Sequence, residues 1–214
     1  MSRRRTEVAV LFSLMLSTAA SSAAQSILAG VGIDHDIQRF PGNPDVNRLD
    51  GHAAGWMWLG GVTLFSHLTL RVEDSRGGRI VNSQAFTVDI DGRMPAIQSS
   101  LTHVTRSTAV LAGFTHPLFA RIHLTYLAGA SSTRVRRTFS TNAPLFVLVG
   151  PSASNSSVSI TTDDHSALIV GADVTAELAP HLGVIAGIRR QSLHVEPDIS
   201  GYGTRPLVGV IWQF

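Results

Sequence analysis

The feature that most constrains this chain is an alternation of side-chain character with a period of two. In "HLTLRVED", Leu68, Leu70 and Val72 share one face of an extended segment and Thr69, Arg71 and Glu73 the other. In "ALIVGADVTAEL", Leu168, Val170, Ala172, Val174 and Ala176 oppose Gly171, Asp173, Thr175 and Glu177. "LFARIHLTYLAGA" sets Ala120, Ile122, Leu124 and Tyr126 against Arg121, His123 and Thr125. "SILAGVGIDHDIQRF" sets Ala29, Val31 and Ile33 against Gly30, Gly32, Asp34 and Asp36. Strand side chains point alternately to two faces, so each stretch predicts a strand with one apolar face and one small or polar face. "GWMWLGGVTLF", "RSTAVLAGFTH", "LGVIAGIRRQS" and "TRPLVGVIWQF" complete the set with weaker alternation.

The connections alternate as well. Short turns are predicted at "FSHL" (65–68), "HPLF" (116–119) and "APHL" (179–182), and long polar connections at roughly 41–53, 75–105, 132–165 and 194–203. In an up-and-down meander this order gathers every long loop at one end. The short turns and both chain termini gather at the other. A soluble sandwich has no reason to sort its loops by length.

The 214 residues are 44% hydrophobic and 15% charged, enough for one barrel or sandwich. With no cysteine, disulfides, thiolate metal sites and cysteine nucleophiles are excluded. The net charge of +2 is carried by Arg3, Arg4 and Arg5 less Glu7, which leaves no basic stripe and excludes a nucleic-acid partner. "MSRRR", "VAVLFSLML" and "STAASSAAQS" follow the order of a secretory leader, with cleavage expected after about Ala24. No apolar run long enough for a membrane-spanning helix follows. The last strand, "VGVIWQF", places Val208, Val210, Trp212 and Phe214 on one face, an unusual end for a soluble domain.

On these residues the chain resembles small bacterial outer-membrane β-barrel proteins of the OmpA/OmpX-like kind, over everything after the leader. The resemblance implies an all-β, closed, antiparallel, up-and-down transmembrane barrel of eight strands. It would have ten if the alternating stretch 78–93 adds a pair to the wall. It implies the outer membrane as location, lipid as partner and a monomer. It also implies that the barrel-assembly machinery recognises Val208, Val210, Trp212 and Phe214.

Such a barrel is just wide enough to be filled by side chains. The inward set would be Asp34, Asp36, Arg71, Glu73, Arg121, His123, Asp173, Glu177 and Arg189. Its mixed signs predict a salt-bridge network that plugs the lumen, because buried charge is costly unless paired. A lumen lined by one sign would instead predict a passive pore. Trp56, Trp58, Tyr126 and Trp212 are expected in interfacial aromatic girdles. Alternation alone does not tell inside from outside, so a secreted soluble barrel with an apolar ligand cavity stands as a further alternative.

Other motifs carry less. "DHD" (34–36) sends His35 to the face opposite its neighbours, and "DDH" (163–165) matches no metal-ligand spacing. His35, Ser131, Asp163 and His165 are the candidates for rim catalysis, but no activated-nucleophile motif accompanies them. No enzyme activity, metal or cofactor is assigned, and no external ligand is identified. "APLFVLVG" (143–150) is an apolar patch within a long loop, and "NSS" (155–157) is discounted as a glycosylation site.

Overall fold

The computed structural model describes residues 26–41, 50–65, 67–87, 96–141, 156–161, 165–196 and 199–214. The predicted leader, the patch 143–150, Asn155 and Asp163 lie outside the described residues. The described residues form nine strands: β1 (Ser26–Arg39), β2 (Gly51–Leu64), β3 (Leu68–Thr87), β4 (Ala96–Phe119), β5 (Ile122–Thr141), β6 (Ser156–Thr161), β7 (His165–Ala179), β8 (Leu182–Glu196) and β9 (Ile199–Gln213), of which β6 falls within the connection expected at 132–165.

All pairings are antiparallel, and the order β4-β3-β2-β1-β9-β8-β7-β5 returns to its start through a β4–β5 ladder. Eight strands therefore close a ring. The ninth, β6, pairs among the described residues with Arg136–Thr141 at the far end of β5 and stands outside the wall. The ten-strand alternative is not what forms. Residues 79–87 of the doubtful stretch simply continue β3 against β4. Closure falls between β1 and β9, paired from Leu28↔Gln213 to Arg39↔Tyr202, and Ile27 and Phe214 exchange backbone hydrogen bonds of 3.0 and 2.9 Å.

At one end the strands are joined by tight turns, in which Phe65 and His181 take left-handed φ values of 51° and 70°. Each turn is stitched to a neighbouring strand: Thr115 N donates to His67 O (2.6 Å), Glu177 N to Arg121 O (2.9 Å) and Gln213 N to His181 O (3.0 Å). The turn expected at 116–119 is displaced. β4 runs on to Phe119 and turns at 120–121, because Pro117 falls at a register irregularity, where a missing N–H is tolerated.

At the other end the strands outrun their predicted limits. β3, β4 and β5 have 20, 24 and 20 residues, against 14 or 15 in β1, β2, β7, β8 and β9. The expected 75–105 connection shrinks to 88–95, and 194–203 to 197–198. A bulge sits in this extension, where Arg76 opposes Arg106 but Arg79 opposes Val104. The extra residue of the Gly77–Gly78 pair reverses the phase of β3, so that Ile80 turns inward and Val81 outward.

Outward-facing residues across β3, β4, β5 and β7 stack in level rungs from the turn end upward. They read Leu68–Phe114–Tyr126–Ala172, then Leu70–Ala112–Ala128–Val170, then Val72–Val110–Ala130–Leu168. The next rung, Asp74–Thr108–Ser132–Ser166, is polar. Large apolar side chains also stand exposed around β1, β2, β8 and β9, including Val31, Ile33, Trp58, Ile188 and Val208. The apolar band thus encircles the ring and stops at the polar rung. Inside, Leu28, Met57, Leu59, Ile185, Leu207 and Ile211 form one packed cluster, and Ala109, Leu111, Leu127 and Ile169 another.

Two exposed outward valines test where lipid lies. Val170→Arg, within the band, should cost roughly 2–4 kcal/mol. Val81→Arg, above it, should stay within about 0.5 kcal/mol. Urea unfolding in liposomes, read by the mobility of unheated samples, measures both, and equal costs would remove the band from lipid.

Candidate functional site

The most ordered chemistry lies inside the ring. Glu73 of β3 and Arg189 of β8 stand four strands apart whichever way the ring is followed, hence on opposite walls. Arg189 Nη2 and Nε donate to Glu73 Oε1 and Oε2 at 2.6 and 3.0 Å. The same guanidinium reaches Asp173 of β7, Nη1 to Oδ1 at 2.6 Å and Nη2 to Oδ2 at 2.9 Å. Arg71 closes the group, with Nη1 at 2.5 Å from Asp173 Oδ2 and 3.4 Å from Glu73 Oε1. Two cations and two anions, each at most 4% exposed, therefore neutralise one another across the bore. Charge-assisted, partly bidentate bonds of this kind are the strong class.

Glycine makes room for them. Asp173 faces Gly187 across the β7–β8 ladder, and Arg189 faces Gly171. A Cβ on Gly187 would collide with the Asp173 carboxylate, and one on Gly171 would stand 2.7 Å from Arg189 Cδ. The ions lie flat over bare backbone, which is why the polar faces of these strands are so rich in glycine.

Toward the loop end, the lumen holds a second set. Ser75 Oγ donates to Asp34 (2.6 Å), and Gln38 Nε2 donates to Asp36 (2.6 Å) and to Thr105 Oγ1 (2.5 Å). Gln191 accepts from Ser107 and Arg205, both at 3.2 Å. Higher still is His103, 1% exposed, on the part of β4 above the apolar band. Both its ring nitrogens lack a hydrogen-bond partner. Burial and the nearby Arg137 guanidinium push its pKa down to about 4.

Toward the turn end, the bore opens into a cavity of about 340 Å³ whose wall includes Thr63, Thr69, Arg71, Thr115, Thr125 and Glu177. Threonine hydroxyls run around it, with Thr69–Thr115 at 3.1 Å and Thr115–Thr125 at 3.0 Å. His123 and Glu177 sit at its mouth, half-exposed and 3.3 Å apart.

Of the nine charged residues predicted for the lumen, Arg71, Glu73, Asp173 and Arg189 form one cluster, Asp34 and Asp36 belong to the upper set, and His123 and Glu177 to the mouth. Arg121 is a correction: it occupies the β4–β5 turn and is exposed, because β4 runs further than expected and the turn consumes that position. Arg205, Gln38 and Gln191 were not anticipated. The signal for Arg205 was present, since it shares its phase with Leu207 and opposes that of outward Val208. Trp56, Trp58, Tyr126 and Trp212 all point outward and are exposed, as are Val208 and Phe214.

Of the catalytic candidates, His35 and Ser131 do not converge, while Asp163 and the side chain of His165 lie outside the described residues. His35 points away from Asp34 and Asp36 and lies beside the ring of His52, with centroids 5.1 Å apart. Ser131, on the opposite strand of the ring, is buried and donates to Ala167 O at 3.4 Å. Among the described residues, no three metal-ligating side chains gather.

No protein-family model matches this sequence, and no curated protein matches it. Solved structures do. Ail, the attachment invasion locus protein of Yersinia pestis, is 13% identical, with a TM-score of 0.51 over 90% of this chain and 100% of Ail. Neisserial surface protein A is 18% identical, with a TM-score of 0.49 over 91% and 100%. The chain has the fold of a small outer-membrane β-barrel. Its encircling apolar band is the surface that this fold turns to lipid, since lipid cannot pair with an open sheet edge and only a closed ring spans.

The barrel's ion cluster and its buried histidine yield separate expectations. Arg189→Met leaves two carboxylates sharing Arg71 and should lower stability by about 3–5 kcal/mol. Arg71→Met with Asp173→Leu removes one charge of each sign and should cost markedly less, as urea titration of the two variants will show. His103 is held neutral when folded, whereas an ordinary histidine protonates near 6.5. Stability should therefore be full above pH 6.5 and fall toward pH 4, by at most about 3 kcal/mol. The pH profile of the unfolding midpoint should flatten in His103→Leu.

Proposed function

We propose that this outer-membrane barrel is a closed, non-catalytic surface protein whose working part is its external end. The observation that carries this reading is the Glu73–Arg189 contact, which joins opposite walls and leaves side chains where a bore would run. Above it, Gln38, Thr105, Ser107 and Gln191 add hydrogen-bonded side chains, and below it the cavity ends at Arg71. A polar lumen filled in this way supports the wall and transports nothing.

The external end, by contrast, is built up. Small outer-membrane barrels carry short turns on the periplasmic side and longer loops outside. On that rule the extensions of β3, β4 and β5, with β6 beside them, form a four-stranded sheet outside the membrane. Among the described residues its edges, β6 and the upper part of β3, carry none of the ladders that close the ring below, and a free edge is a surface on which another chain can pair. The separation of His35 from Ser131 supports a binding role over a hydrolytic one. Trp56 and Trp212, near opposite ends of the outward face, are suited to the two interfacial girdles, with Trp58 and Tyr126 between them. Val208, Val210, Trp212 and Phe214 lie on the strand that closes the ring and offer their outer face to the assembly machinery.

Purified protein in planar bilayers should show low, intermittent conductance. Arg189→Ala should give larger and longer openings, because it removes the side chain that links the walls. Steady porin-like steps from the unmodified protein would replace this reading with that of a passive pore.

A further inference from the structure

Directly above the polar rung that ends the apolar band, the outward face of the barrel becomes cationic. Arg76 of β3, Arg106 of β4 and Arg134 of β5 are consecutive cross-strand partners, so three arginines stand side by side in one rung. One rung higher, Arg79 and Arg136 flank Val104. Arg79 reaches this face only because the Gly77–Gly78 bulge reverses the phase of β3. Like charges placed opposite one another destabilise a sheet, and among the described residues the outward faces of these strands hold one carboxylate, Asp74. That carboxylate is spoken for. It is 3% exposed and accepts from Thr108 Oγ1 (2.8 Å), from Arg106 Nε (3.3 Å) and from Arg106 Nη2 (3.2 Å), with Arg76 Nε 3.8 Å away. Arg76 also lies over the Trp56 ring, 4.9 Å from its centroid. Asp74 and Trp56 thus hold the two guanidiniums in place, while their side chains remain 49% and 44% exposed.

From the turn end upward, the face presents aliphatic and aromatic side chains, then hydroxyls, then arginines. This order matches an amphiphile with acyl chains, a hydroxyl-bearing linkage and an anionic head. Arginine forks bind phosphate oxygens in bidentate fashion, and preorganised forks lose less freedom in doing so. We propose that the β3–β4–β5 face, through Arg76, Arg79, Arg106 and Arg136, docks the phosphorylated headgroup of a lipid in the external leaflet. The inference rests on the membrane-spanning reading above and adds a specific lipid to it.

The test uses the full chain folded into phosphatidylcholine nanodiscs, alone or with one-tenth bisphosphorylated lipid A or its enzymatically dephosphorylated form. The phosphorylated lipid should raise the thermal unfolding midpoint, and the dephosphorylated one should not. Added sodium chloride should shrink the shift, as expected of an exposed charge contact. Arg79→Gln with Arg136→Gln leaves the Asp74 cluster intact and should weaken the apparent affinity for the phosphorylated lipid about tenfold. Arg106→Gln with Asp74→Asn removes a cation without stranding the carboxylate and should weaken it similarly. Equal stabilisation by both lipids, or variants that respond like the parent, would overturn the site while leaving the spanning barrel intact. Failure to insert into any nanodisc would overturn both readings.

Discussion

The ladder between β1 and β9 is the interaction on which the rest of this structure depends. Lipid offers no hydrogen bonds, and an unpaired strand edge facing it would leave a row of backbone groups unsatisfied, each at a cost of several kcal/mol. The bonds between Ile27 and Phe214 begin the seam that removes both edges at once. Once the ring is closed, its circumference is fixed, and so is the space that the inward side chains must fill. The lumen cluster, the apolar packing on either side of it and the outward band all follow from that closure.

Within the closed wall, burial works differently from a soluble core. Leu111 and Ile169 are fully buried in the lumen, whereas Leu168 is 70% exposed, because the larger apolar surface is outside. Between the two interior apolar clusters, the Arg–carboxylate group sits where water is scarce, which strengthens each contact and raises the penalty for losing one partner.

Much of this was legible in the sequence. A period of two is insensitive to small errors in strand limits, so the faces of β1, β3, β7 and β9 could be assigned from Asp34, Glu73, Asp173 and Val208 alone. Three things were not legible. Pro117 and the following bulky residues resembled a turn, although Pro117 merely occupies an irregular rung near the end of β4, and that displaced Arg121 into the turn. The Gly77–Gly78 bulge reverses a phase that simple alternation carries straight through, which concealed the fact that Arg76 and Arg79 share a face. The identity of ion partners was also hidden, because Glu73 and Arg189 meet across the diameter, and no local pattern encodes which opposite strand a side chain will face.

The way charges are distributed along the chain bears on how the barrel is made. Arg71 and Glu73 lie two residues apart on β3, and Asp173 and Arg189 belong to the single hairpin β7–β8. Each half of the wall therefore carries a cation and an anion of its own, 3.4 Å apart in the first pair and 2.6 Å in the second. A half-built sheet entering the bilayer brings in a neutral pair rather than a net charge. Closure then adds partners to these pairs, joining Arg71 to Asp173 and Arg189 to Glu73. The same four side chains are thus neutral within each half of the wall and, once the ring is closed, across the bore as well.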